Sequence, residues 1–145
     1  MSLSGTSLPK PKNWQDFERQ TRELFACILN DPNTQLNGRQ GQAQNGVDVF
    51  GYRDKDINCL VGVQCKEKYK AEVTEGELHD EVNKAKNFTP KISEFILITT
   101  APRDRKIQQS ARFLTRELAK TDDPILVCVW GWEDVEEHAS KYDQA

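Results

Sequence analysis

Gly46-Val47-Asp48-Val49-Phe50-Gly51 is followed, after a short charged turn, by Val61-Gly62-Val63-Gln64-Cys65-Lys66. The two runs read as adjacent apolar strands, 47–52 and 60–66, joined by residues 53–58 as an antiparallel hairpin. Strands spend their inward positions on hydrophobes, yet this pair carries an acid, an amide and a lysine. Side chains alternate faces along a strand. Gln64 and Lys66 then share one face, with Val63 and Cys65 on the other, and Asp48 faces with Gly46 and Phe50, opposite to Val47 and Val49. With Tyr52 opposite Leu60, Asp48 falls opposite Gln64, where facing Cβ atoms lie about 4.5–5.5 Å apart. One hard cation there would bridge the Asp48 carboxylate and the Gln64 amide oxygen.

The surrounding sequence supplies layers for this hairpin. Asn13 caps a helix predicted from Trp14 to about Leu29, with Trp14, Phe17, Thr21, Leu24, Phe25 and Ile28 as its buried stripe. Asp31-Pro32-Asn33 stops it, and residues 34–46 read as a polar, glycine-punctuated loop. Thr74 caps a second helix reaching Asn87. Residues 95–100 form a continuous apolar run, the mark of a central strand buried on both faces. A helix opens at Arg103 or Asp104 and reaches about Lys120, with Ile107, Ala111, Leu114 and Leu118 on one side. Residues 125–130 read as a last buried strand and 132–142 as a closing helix. The early hairpin is antiparallel and the later alternation implies parallel crossovers. The expected fold is therefore a three-layer α/β domain with a mixed central sheet of about four to five strands flanked by helices.

The chain has 145 residues, enough for one core, and no apolar run long enough to cross a membrane. Residues 1–13 read as a flexible leader and 14–145 as a single domain, excised from a longer protein. Cys27, Cys59, Cys65 and Cys128 show no C-x-x-C spacing and read as reduced small hydrophobes, which points to the cytoplasm. His79 and His138 are isolated surface residues on this reading. The net charge of −3 excludes a global basic footprint. It hides an asymmetry: residues 66–116 carry 11 Lys or Arg against 8 acids, and 117–145 carry 2 against 8. A mildly basic centre suits a local phosphate-binding face or solvated helix surfaces.

The residue types on the hairpin have a chemical logic. Mg²⁺ wants oxygen ligands, keeps waters, and commonly takes one or two protein carboxylates. Lys66, on the same side as Gln64, is placed to orient a water or stabilise developing negative charge. On the first helix, at about 100° per residue, Glu18 lies about 70° from the centre of the apolar stripe and Glu23 about 150° away. Glu18 can therefore point toward the sheet, or be an ordinary boundary residue, while Glu23 belongs in water.

Gly46-Val47-Asp48 and Gln64-Cys65-Lys66 on a hairpin, behind a helix carrying Phe17-Glu18, resemble the PD-(D/E)xK nuclease superfamily with its restriction-endonuclease-like fold. The glutamine is similar to the Q-x-K variant of the Mrr-like branch. The likeness spans about Trp14 to Trp132, with Val47 where the superfamily name has proline. It implies a divalent-metal-dependent endonuclease acting mostly on DNA, with Mg²⁺ or Mn²⁺ as cofactor. It further implies Asp48 and Gln64 as metal ligands with the Cys65 backbone carbonyl, Lys66 as the catalytic lysine and Glu18 as the helix acid. Effector domains of restriction or antiviral defence proteins are of this kind, and a homodimer is compatible with it. The alternatives are a catalytically lapsed nucleic-acid-binding or assembly module, and a nuclease acting on RNA. Arg39, Gln42, Gln44 and Asn45 in the loop before Asp48, and Lys68 and Lys70 after Lys66, suit nucleic-acid contacts or a polar surface equally.

Overall fold

Hairpin register places everything else. In a computed structural model, which describes residues 9–39, 42–68 and 71–142, Tyr52 pairs with Leu60 and Val49 with Val63. The elements are α1 (Trp14–Ile28), β1 (Gln35–Leu36), β2 (Val49–Tyr52), β3 (Leu60–Lys66), α2 (Glu75–Ala85), β4 (Glu94–Thr99), α3 (Arg105–Leu118), β5 (Leu126–Trp130) and α4 (Trp132–Lys141). They build one five-stranded sheet in the order β1-β2-β3-β4-β5. The first three strands are antiparallel neighbours, and β3, β4 and β5 run parallel. The sheet is mixed and flanked by helices on both faces, a three-layer α/β domain.

The core follows the strand alternation. Val49, Val61, Val63, Ile96 and Ile98 pack on Phe17 and Phe25 of α1 and on Trp132 and Val135 of α4. Leu60, Phe95, Leu97, Val127 and Val129 face the other way, onto Leu78 and Val82 of α2 and Ile107, Leu114 and Leu118 of α3. Local chemistry sets the helix starts. The Asn13 side chain accepts from Asp16 N–H, and that of Asp104 from Ile107 N–H. Thr74 and Glu77 form a reciprocal capping box, which satisfies two otherwise orphaned amides at the start of α2.

Several expectations are corrected. Trp14 is 41 % exposed, because it lies in the first turn of α1, beyond the edge of the sheet packing. The polar loop contains β1, whose two residues are too few to show alternation. The second strand begins at Val49, and Val47 and Asp48 precede it. Val47 joins the core on the α2–α3 side and Val49 the core on the α1–α4 side, so the expected common face of Val47 and Val49 is broken at Asp48. The last strand is an edge strand with only one face covered throughout, leaving Leu126 and Cys128 exposed. Cys27 is exposed as well, so neither it nor Cys128 serves as a core hydrophobe. All four cysteines are free. Among the described residues, no helix is long and apolar enough to cross a membrane.

Candidate active site

The loop before β2 is built to deliver Asp48. Asn37 donates from Nδ2 to the Gln44 and Val47 carbonyls, and Gln44 donates from Nε2 to the Asn37 carbonyl, so the loop closes on itself. Asn45 and Gly46 both take positive φ. A Cβ on Gly46 would sit 2.9 Å from the Glu81 carbonyl oxygen, so only glycine lets the loop press this closely on α2. From there the backbone bends into β2. Asp48 N–H donates to the Val63 carbonyl, and the Asp48 carboxylate accepts from Cys65 N–H at 2.9 Å. Strand amides point within the plane of the sheet, so this carboxylate lies in the fork where β2 leaves β3.

Asp48 is 4 % exposed and has carboxylates for neighbours. Burial pushes its pKa up to about 6, with the Cys65 hydrogen bond opposing and the charge of Glu81 adding to the rise. Glu18, on the α1 side, is pushed up to about 7 by burial and by the charge of Asp48. The expected inward direction of Glu18 is therefore what the structure has, and Glu23 stands exposed. Gln64 faces the α2–α3 side, and its Oε1 is buried with no hydrogen-bond donor among the described residues. Cys65 faces α1, where its Sγ lies 3.4 Å from Thr21 Oγ1, and burial holds its thiol well above the usual range.

Lys66 emerges on the same side as Gln64 and meets α2. Its Nζ lies 3.4 Å from Glu77 and 3.8 Å from Glu81. Lys68 reaches the same Glu77 carboxylate at 2.8 Å, and the Lys68 hydrogen bond leads the forces that hold Glu77 down to about 2. Thr100 fixes the Lys68 backbone by accepting from its N–H and donating to its carbonyl. The threonine pair after β4 thus serves structure, as Thr99 Oγ1 accepts from Ala101 N–H. The tryptophans do likewise: Trp130 stacks between Phe25 and His138, and Trp132 meets Phe17 edge-on.

The structure therefore brings Glu18, Asp48, Gln64, Cys65 and Lys66 to one end of the sheet. Glu81 joins them, buried among them from α2, and sequence reasoning missed it. Its signal was present, since Glu81 lies three residues after Leu78 and one before Val82, within the buried stripe of α2. The loop candidates are less convergent. Arg39 and Gln42 are exposed and bond each other, the Arg39 N–H donating to Gln42 Oε1. Gln44 is spent on the loop's own backbone and Asn45 on its turn. Lys70 lies outside the described residues.

The donor set is oxygen-rich and suits a hard cation. Among the described residues no three His, Cys, Asp or Glu side chains gather closely enough to hold a metal. The oxygens on offer are the buried Asp48 carboxylate and the Gln64 oxygen that lacks a donor among the described residues, a partial set of the kind Mg²⁺ accepts with its waters. No family model, curated protein or solved structure matches this chain.

Proposed function

We propose that the chain is a divalent-metal-dependent endonuclease, hydrolysing phosphodiester bonds in double-stranded DNA, with a restriction-endonuclease-like fold of the Mrr-like kind. One observation carries this reading. A buried carboxylate lies beside further acids, and on the neighbouring strand a buried amide oxygen lacks a donor among the described residues. Such a cluster costs several kcal/mol unless a cation completes it. Asp48 and Gln64, with the Cys65 carbonyl, would hold Mg²⁺ or Mn²⁺. The bound ion would supply Lewis-acid polarisation of the phosphate and a more acidic water.

The protein's own groups do the rest. Asp48 is pinned by the Cys65 amide, so its free oxygen is aimed without entropy loss at the moment of reaction. Glu18, near about 7, exchanges a proton at neutral pH and suits acceptance of one from the attacking water. Lys66 places a positive charge where the phosphate gains negative charge. It must leave Glu77 and Glu81 to do so, and an incoming phosphate is the anion that competes for it. The free cysteines suit the reducing conditions of the cytoplasm.

The test is conversion of supercoiled plasmid to nicked and linear forms, with Mg²⁺ and with EDTA. Wild type should cut only with the metal, and Asp48→Asn should not cut. Cleavage that survives EDTA or the substitution would refute the reading. Nucleic-acid binding without any cleavage, at high protein and with either Mg²⁺ or Mn²⁺, would point instead to a lapsed binding module.

A further inference from the structure

Helix α3 buries Ile107, Ala111, Leu114 and Leu118 against the sheet, so its opposite face meets solvent. On that face Arg105, Lys106, Arg112 and Arg116 are exposed. Their spacing strings them along one side of the helix. Arg103, just before the helix, is consumed by Asp134 and Glu137, and Lys66 and Lys68 by Glu77. The four cations of α3 have no such carboxylate partner among the described residues. In a chain of net charge −3 this is a concentrated, unneutralised strip.

A groove of about 670 Å³ lies between this helix and the first turns of α2. That volume is in the range of ligand clefts, roughly 300–1,000 Å³. Its apolar lining includes Val73 and Ile107. One wall carries Phe113, 58 % exposed, and Lys106 two turns before it, with the N-cap Asp104 accepting from Ile107 N–H, and the other carries Glu72, Glu75 and His79. Phosphates alone would need only the cations. An exposed ring beside apolar side chains offers a face to a planar aromatic group. The acids on the far wall repel phosphates and accept from amino groups, so the backbone belongs on α3 and the ring in the groove.

We infer that this groove and the outer face of α3 bind a single strand of nucleic acid, with phosphates on Arg105, Arg112 and Arg116 and an unstacked base against Phe113. The groove adjoins the candidate active site through the first turn of α2. Thr74 lines the groove, and its N–H donates to Glu77, the carboxylate that holds Lys66 and Lys68. The inference rests on the nuclease reading only in taking this strand to continue toward the cleavage site.

Binding is read by fluorescence anisotropy in EDTA, on the uncut Asp48→Asn background, with a labelled single strand of about 20 nucleotides, longer than one such groove spans. Replacing Arg105, Arg112 and Arg116 together by Gln should weaken binding at least tenfold. The same change should lower the slope of log K against log salt by about 2, as three single-strand phosphate contacts require. Phe113→Ala should weaken binding about tenfold and leave the salt slope unchanged. Replacing Lys55, Lys86 and Lys91 by Gln removes equal charge at the opposite end of the sheet and should change affinity less than twofold. Thermal melts confirm that each variant folds, as all these side chains are exposed. Three results would each overturn the inference: no effect of Phe113→Ala, an equal loss in the lysine control, or an equal effect of Phe113→Ala on a matched duplex, whose stacked bases cannot reach the ring. Plasmid cleavage by wild type alongside any of these leaves the nuclease reading standing. Loss of cleavage with the groove effects intact removes that reading and not this one.

Discussion

Asp31 and Asp48 are equally hidden, at 3 % and 4 % exposure, and are treated in opposite ways. Asp31 follows α1, and both of its oxygens accept backbone N–H groups, from Asn33 at 3.0 Å and Tyr52 at 2.8 Å. It fastens the end of α1 to β2. At the same end of the hairpin, Arg53 and Glu94 make a two-pronged ion pair at 2.8 and 3.0 Å. At the other end, Asp48 has one amide donor and carboxylates around it, and Gln64 has a buried oxygen with no donor among the described residues. One strand pair thus carries satisfied polar groups at one end and unsatisfied ones at the other. Satisfied burial is architecture. Unsatisfied burial calls for an explanation, and on the reading proposed above a bound cation supplies it.

The largest expected contrast separates these two aspartates. Asp48→Asn keeps an acceptor for Cys65 N–H and removes the repelling charge. Mg²⁺-dependent plasmid cleavage should fall on the order of 10³-fold or more, with a melting temperature at or above that of wild type. Asp31→Asn turns an acceptor into a donor facing a backbone N–H, and should cost about 1–3 kcal/mol in a denaturant titration. Equal destabilisation by both would erase the distinction.

Lys66→Ala comes next. It should retain metal binding, measured by Mn²⁺ titration, and slow cleavage about 100-fold. Full turnover would remove Lys66 from the chemistry. Glu18→Gln should also slow cleavage about 100-fold, as loss of a proton acceptor does, whereas Glu23→Ala should leave the rate within about twofold. Equal effects would mean that α1 presents no particular face to the site.

The pH dependence is smaller and has a definite sign. Asp48 and Glu18 hold protons more tightly when folded than the usual carboxylate range of about 4 allows. Their contribution to stability is greatest at low pH and is lost as pH rises through about 6 and about 7. His138, lowered by burial, contributes with the opposite sign, and comparing wild type with Asp48→Asn cancels it. In EDTA, the melting temperature of the variant should gain on wild type between pH 5 and pH 8. A gap independent of pH would contradict the raised carboxylates.

Legibility followed the range of the interactions. The hairpin register was readable because Tyr52 and Leu60 flank a short turn, and the shared face of Gln64 and Lys66 follows from alternation alone. Glu18 was separable from Glu23 because a helix repeats regularly around Phe17, Thr21 and Phe25. What stayed hidden depends on distant partners. Nothing near residues 125–130 marks an edge strand, since a short apolar run reads the same in the middle of a sheet. The bend at Asp48 depends on Gly46 pressing against α2. The capture of Lys66 and Lys68 by Glu77 joins β3 to a helix across an intervening loop. Glu81 was within reach, and recognising an acid inside the stripe of Leu78, Val82 and Ala85 would have added it to the site.

Mn²⁺ binding followed by electron paramagnetic resonance at neutral pH tests the central claim most directly, on wild type, Asp48→Asn and Asp31→Asn. The unsatisfied end of the hairpin should take up one ion per chain in wild type and in Asp31→Asn, and none in Asp48→Asn. Uptake unchanged in Asp48→Asn, or absent from wild type, would contradict the account.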